Sequence, residues 1–154
     1  MIKTLASMVM MGALAWPWAS SPAPQPDAAY QYAYAYHTCA PWDGAAIAIV
    51  LQKTAFRMPP AQQLPASTYP QLNITLWTGD PAVGSWIDLP EIGNTGYVGE
   101  FTGANQAVRG TGRVRLTRLT TDRIEGEADF RFKGQPEKMV RFSAPILKYS
   151  PMCG

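Results

Sequence analysis

Gly112-Arg113-Val114-Arg115-Leu116-Thr117, followed by Arg123-Ile124-Glu125-Gly126-Glu127-Ala128-Asp129-Phe130-Arg131-Phe132, is the stretch on which the fold class turns. Apolar Val114, Leu116, Ile124, Ala128, Phe130 and Phe132 alternate with charged or polar neighbours, the period-two signature of strands with one face in a core. Apolar must meet apolar across a pair of strands. Val114 is therefore expected opposite Phe130 and Leu116 opposite Ala128, through an odd-length connection around Thr121-Asp122-Arg123. That register sets Arg115 against Asp129 and Thr117 against Glu127 on the outer face. Met139 to Ile146 continues the pattern with Val140, Phe142, Ala144 and Ile146 inward, beyond the turn Gly134-Gln135-Pro136-Glu137, and completes a three-strand meander.

Upstream, Ala45 to Lys53 begins as an unbroken apolar run behind Pro41-Trp42-Asp43-Gly44 and reads as a buried strand. Leu72, Ile74 and Leu76 alternate with Asn73, Thr75 and Trp77, which predicts a half-buried strand over 71–78. A shorter strand over 83–89 is expected to pair with it across Gly79-Asp80-Pro81. Four prolines make Met58 to Pro70 a surface loop. Glu91 to Ala107 is Gly-rich, with a short strand over 97–102 at most, and predicts a mobile loop. No segment carries a helical period. The class is all-β: a small antiparallel sandwich or open barrel of about seven or eight strands, with the sandwich preferred.

The N-terminus decides how the two cysteines are read. Met1-Ile2-Lys3, an apolar stretch from Leu5 to Trp16 and then small residues and prolines have the order of a cleavable signal, with Ala13-Leu14-Ala15 or Ala23 at the cleavage zone. Residues 1–23 are thus expected to be a signal peptide, 24–38 a flexible leader with a Tyr-rich run, and 39–154 a single β domain. No apolar run of the mature chain approaches the roughly 18 to 20 residues a spanning helix needs. In a periplasmic or secreted protein, Cys39 and Cys153, the only 2 cysteines, are expected to pair and staple the domain.

Residues 24–106 hold two basic side chains against six acidic ones, and residues 107–141 hold nine against five. Alternation of Arg with Glu and Asp in the second half favours internal pairing over a nucleic-acid surface. Gly110-Thr111-Gly112 enters a strand rather than a helix and is expected to be a turn, not a phosphate loop. Asn73-Ile74-Thr75 is a glycosylation sequon in form, expected to be a chance match in a bacterial chain.

Gly112 to Thr117, Arg123 to Phe130 and Val140 to Phe142 together resemble the last meander of uncharacterised exported bacterial β-domain proteins. The resemblance covers about 35 residues. It implies a β-rich periplasmic or secreted domain and brings no catalytic residues with it.

Chemistry has few footholds. His37 is the only histidine; with Asp43 as orienter and Ser85 or Ser143 as nucleophile it makes a formal hydrolytic set without diagnostic spacing. Asp80, Asp88, Glu91 and Glu100 supply carboxylates for a glycosidase pair. No cofactor or metal is expected. The stronger candidate is a binding surface: Tyr32, Tyr34 and Tyr36 at a spacing of two, with Trp42, Trp77 and Trp86, are amphipathic rings of the kind enriched at interfaces. The expected function is a non-enzymatic exported domain that binds a protein or envelope component. A secreted inhibitor of a hydrolase, presenting Met58–Pro70 or Glu91–Ala107, is the second reading and a hydrolase the third.

Overall fold

The computed structural model describes residues 29–153. The signal peptide expected over 1–23 and the first part of the expected leader lie outside the described residues. Eight strands form one antiparallel sheet: β1 (Tyr32–Cys39), β2 (Ala45–Gln52), β3 (Gln71–Leu76), β4 (Trp86–Leu89), β5 (Gly96–Gly103), β6 (Gln106–Leu119), β7 (Arg123–Arg131) and β8 (Lys138–Pro145). The order is β1-β2-β3-β5-β6-β7-β8, with β4 paired to β6. Ala35 bridges to Ile146, and the Leu147 amide donates to the Ala35 carbonyl at 2.8 Å, so the two edges nearly meet. The sheet therefore curls into a nearly closed barrel rather than the sandwich preferred from sequence. Among the described residues no helix is long and apolar enough to cross a membrane.

One parity of every strand fills the barrel. Ile47, Ile49, Leu72, Ile74, Val98, Leu116, Ile124 and Phe130 are each at most 1% exposed, and burying a side chain of this size contributes about 1.5 to 3 kcal/mol. Tyr30, 7% exposed, packs against the same core and donates its hydroxyl to Glu100. The tyrosine run is thus part of the domain. Residues 32–38, assigned to the leader from sequence, belong to β1, which is paired along its whole length with β2 from Tyr32↔Gln52 to Cys39↔Ala45.

The β6–β7 register differs from the sequence expectation by two residues: Val114 faces Ala128, Leu116 faces Gly126, Arg113 faces Asp129 and Arg115 faces Glu127. A shift of two keeps the apolar face inward, so hydrophobic alternation cannot discriminate between the two registers. The turn decides. Thr120 and Arg123 close an even, two-residue turn, with the Thr120 amide donating to the Arg123 carbonyl at 2.9 Å, and a bulge between Leu116 and Arg118 absorbs the odd residue.

The strand at 83–89 pairs with β6, not with the strand at 71–76. Trp86↔Arg115 and Asp88↔Arg113 bring a ring and a carboxylate to two guanidiniums, while Ile87↔Val114 and Leu89↔Gly112 face inward. The expected mobile loop over 91–107 is mostly strand: β5 and the first turn-proximal part of β6 form a hairpin from Val98↔Gly110 to Gly103↔Gln106. Gly110 and Gly112 are likewise not a turn. They lie inside β6 where it passes from β5 to β4 and β7, and a Cβ on Gly112 would stand 2.3 Å from the Asp129 carbonyl oxygen. Glycine is there because two backbones approach too closely for a side chain.

β3 is buried on both faces, not half-buried as alternation suggested: Gln71, Asn73 and Thr75 are 7%, 8% and 5% exposed. The Pro-rich segment over 58–70 is a loop, as expected, within a connection that runs from 53 to 70 and lies back on the outside of the barrel. Phe56 and Leu64 pack there against Tyr34, Val50 and Leu147 as a small second core. The Gln62 amide donates to the Lys148 carbonyl at 2.7 Å, which joins the loop to the C-terminal tail. Cys153 then bonds Cys39 at the end of β1, across a sequence separation of 114.

Candidate functional site

The outer faces of β1, β2, β3 and β5 carry a line of paired residues, Tyr36↔Ala48, Ala48↔Thr75 and Thr75↔Tyr97. Two small side chains lie between two large rings. Strands about 4.8 Å apart set the backbones that carry those rings about 14 Å from each other, with the side chains rising from them as the two walls of a groove. The next line adds Asn73 and Gly99 to the floor and Arg109 to the rim. The resulting groove has a volume of about 220 Å³, and Trp77, which follows β3, stands at one end of it.

Both walls are braced by other rings. Trp77 meets Trp42 edge-on at 5.3 Å and Tyr97 at 6.3 Å, and its amide donates to the Thr95 carbonyl at 3.0 Å. The Arg109 guanidinium lies 4.7 Å from the centre of the Tyr97 ring, within cation–π range. On the other side Tyr36 stacks with Tyr34 at 6.3 Å and meets Tyr149 edge-on at 5.6 Å, while Tyr34 meets Phe56 at 5.0 Å. Tyr36, Trp77 and Tyr97 are only partly buried. Each is held by a ring behind it while presenting surface to the groove, a rigid arrangement that loses little conformational entropy on contact with a ligand.

Burial pushes the Tyr34 hydroxyl up to about 12, with the phenols of Tyr36 and Tyr69 adding to the effect. Burial also raises Tyr36, helped by the facing phenol of Tyr97 and by Tyr149. Because the protonated form is the one the fold accommodates, this stabilisation is intact below pH 10 and is lost as pH rises through about 12. In an absorbance titration of phenolate formation, Tyr34 is expected to ionise late and together with loss of near-ultraviolet circular dichroism. Ionisation of every tyrosine near pH 10 with the fold intact would contradict the burial of this wall.

Of the rings singled out from sequence, Tyr36 and Trp77 line the groove and Trp42 buttresses it. Tyr34 is buried behind the wall at 3% exposure, and Tyr32 is exposed near the other end of β1. Trp86 is elsewhere, between Arg113 at 4.3 Å and Arg115 at 5.0 Å. From β4 it adjoins a ladder on β6, β7 and β8 in which Arg113 pairs with Asp129 at 2.9 Å, Arg115 pairs with Glu127, and Arg141 reaches Glu127 at 3.6 Å. The basic half of the chain thus spends much of its charge internally.

Tyr97, Arg109, Asn73 and Thr75 did not stand out in the sequence as members of a binding surface. Tyr97 lies among glycines that erase the alternation, and only the β3–β5 pairing brings it opposite Thr75. Asn73 is buried inside a strand, unlike the exposed loop position of a glycosylation acceptor.

Of the hydrolytic candidates, Ser143 is engaged elsewhere. The Ser143 hydroxyl accepts from Arg123 at 2.8 Å and donates to Glu125 at 3.3 Å, within the charge ladder rather than beside His37. His37 is exposed, opposite Ile47 in the β1–β2 register. Glu100 is engaged by Tyr30, and Asp88 lies on β4 opposite Arg113. Among the described residues no three His, Cys, Asp or Glu side chains converge as a metal site would require. Comparison with protein-family models, with curated proteins and with solved structures gave no match, so the groove has to be read from its own geometry.

Proposed function

We propose that this chain is an exported, non-enzymatic binding domain of the bacterial cell envelope, with the groove between Tyr36, Trp77 and Tyr97 as its contact surface. The observation that carries the reading is the combination of partly exposed rings, each braced from behind, with a floor of small and amide side chains. Such concave sites, apolar at the sides with a few polar groups at the base, are the common form of ligand pockets. Export is supported by the Met1–Trp16 signal pattern and by a disulfide that ties the last residues to β1, since such bonds persist in oxidising compartments.

Intact mass of the protein recovered from cell fractions, with and without reduction and alkylation, tests the compartment. The expected result is loss of about 15 to 23 N-terminal residues and no free thiol. An unprocessed N-terminus with both Cys39 and Cys153 reactive overturns export. Co-sedimentation of wild type and of Trp77→Ala with a washed envelope fraction tests the groove. Equal association of the two proteins rejects it as the contact surface.

The inhibitor reading retains one supporting observation. The loop between β4 and β5 holds Ile92 at its tip with 91% of its surface exposed, an apolar side chain presented outward on a stapled scaffold. If that loop were the inhibitory element, Ile92→Asp would abolish hydrolase inhibition and leave envelope association unchanged.

A further inference from the structure

The groove is wide, aromatic at its walls and polar at its base, and these properties narrow the class of ligand. A pyranose ring has one or two faces made of C–H groups and an equator of hydroxyls. The C–H faces fit against the negative faces of aromatic rings, and the equatorial hydroxyls need donors and acceptors in the plane between them. Tyr36 on one side and Trp77 and Tyr97 on the other supply the rings. Asn73 and Thr75 supply the polar floor.

Asn73 is 8% exposed, with its side-chain carbonyl oxygen closed off from the groove, so what the side chain offers at the floor is the amide nitrogen, a donor for a ring hydroxyl. A purely apolar occupant would leave that donor unpaired.

Arg109 adds a charge criterion. It is the one charged residue among those lining the groove, it is exposed, and no carboxylate of the described residues lies within ion-pair distance of it. On the same strand, Arg113, Arg115 and Arg118 are each paired with a carboxylate of β7. Tyr97 fixes the plane of the guanidinium at the rim, where its fork is suited to a carboxylate.

We propose that the groove binds an acidic glycan, with one sugar ring between Tyr36 and the Trp77–Tyr97 wall, a ring hydroxyl on Asn73 and a uronate-type carboxylate on Arg109. This assignment rests on the binding-domain reading above and specifies its ligand. A volume of about 220 Å³ suits one sugar ring, and the open groove lets the chain continue at either end.

The test uses the processed, disulfide-bonded protein and follows tryptophan fluorescence and heat of binding with two acidic probes, tetragalacturonate and a hyaluronan tetrasaccharide. Methyl-esterified tetragalacturonate and cellotetraose are the neutral controls. Saturable binding of at least one acidic probe is expected, with weaker binding of the ester. Arg109→Met should lower affinity about tenfold or more, as expected for loss of a charge-assisted bond, while leaving the circular dichroism spectrum unchanged. Trp77→Ala should remove binding, and Trp86→Ala, away from the groove, should not alter it. Absence of binding by both acidic probes at millimolar concentration, equal binding of acid and ester, or full affinity in Arg109→Met overturns the acidic-glycan assignment. The envelope co-sedimentation experiment separates the two levels. Envelope association that depends on Trp77 without glycan binding overturns this inference alone, whereas association independent of Trp77 overturns both.

Discussion

Replacing Cys39 and Cys153 together by serine is expected to lower the stability of the domain by about 4 to 5 kcal/mol, the value the chain-entropy relation assigns to a loop of this length. The bond closes a sequence separation of 114, nearly the whole of the described domain, so the unfolded chain gains a large freedom when it is removed. The native state loses something as well. The C-terminal tail carries Leu147 against Tyr34 and Val50, joins the Pro-rich loop through Gln62, and lies where β8 approaches β1. Untying Cys153 frees the end of that tail and loosens the seam of the barrel. In a thermal melt the effect corresponds to a decrease of roughly 10 to 20 °C. Urea titrations of wild type with and without reductant, beside the double serine variant, check it. An unchanged midpoint in the variant would mean that the seam is held by its backbone contacts and that the staple is dispensable.

Phe130→Ala is expected to cost about 3 to 5 kcal/mol, the range for truncating a fully buried aromatic ring. Phe130 is 1% exposed and meets Phe132 edge-on at 5.6 Å inside the barrel. Directly across the ladder is Gly112, which has no side chain to move into the vacated space. The backbone there is held on both edges of β6, by β4 and by β7, so collapse around the cavity is limited. A fall in the urea midpoint with little change in slope is the expected signature. A cost below about 1 kcal/mol would show that this interior is loosely packed, contrary to the close fit of Gly110 and Gly112 against the two phenylalanines.

The C-terminal meander was legible because its strands have one wet face and one dry one. Alternation from Val114 to Phe132 identifies two strands and the face each buries. It leaves the register open to a shift of two, and the two-residue turn at Thr121-Asp122 with the bulge after Leu116 resolves it. Where glycine interrupts the pattern, over 96–110, the same reasoning fails: a side chain that is absent carries no hydrophobic signal, although its absence is what lets β5 and β6 approach their neighbours. Alternation also misjudges β3. Asn73 and Thr75 are polar because their face is the floor of the groove rather than the barrel interior, and their low exposure comes from the rings of Tyr36, Trp77 and Tyr97 that rise beside them, which no periodic pattern of β3 contains.

The groove was only partly visible for a related reason. Tyr36 and Trp77 announce themselves as rings, but a groove is a property of neighbours across strands. Ala48, Thr75, Tyr97 and Arg109 become neighbours only through the pairing of β1 with β2, β2 with β3, β3 with β5 and β5 with β6.

Sequence by itself determined the all-β class, the inward face of most strands and the pairing of the only two cysteines, because each depends on local side-chain period or on residue count. Tertiary structure alone decided barrel over sandwich, the partner of β4, the covered outer face of β3 and the convergence of Tyr36, Asn73, Trp77, Tyr97 and Arg109. Those features depend on hydrogen bonds and contacts between segments far apart in the chain, and the free energy that selects among alternative pairings comes from packing and turn geometry that no local pattern contains.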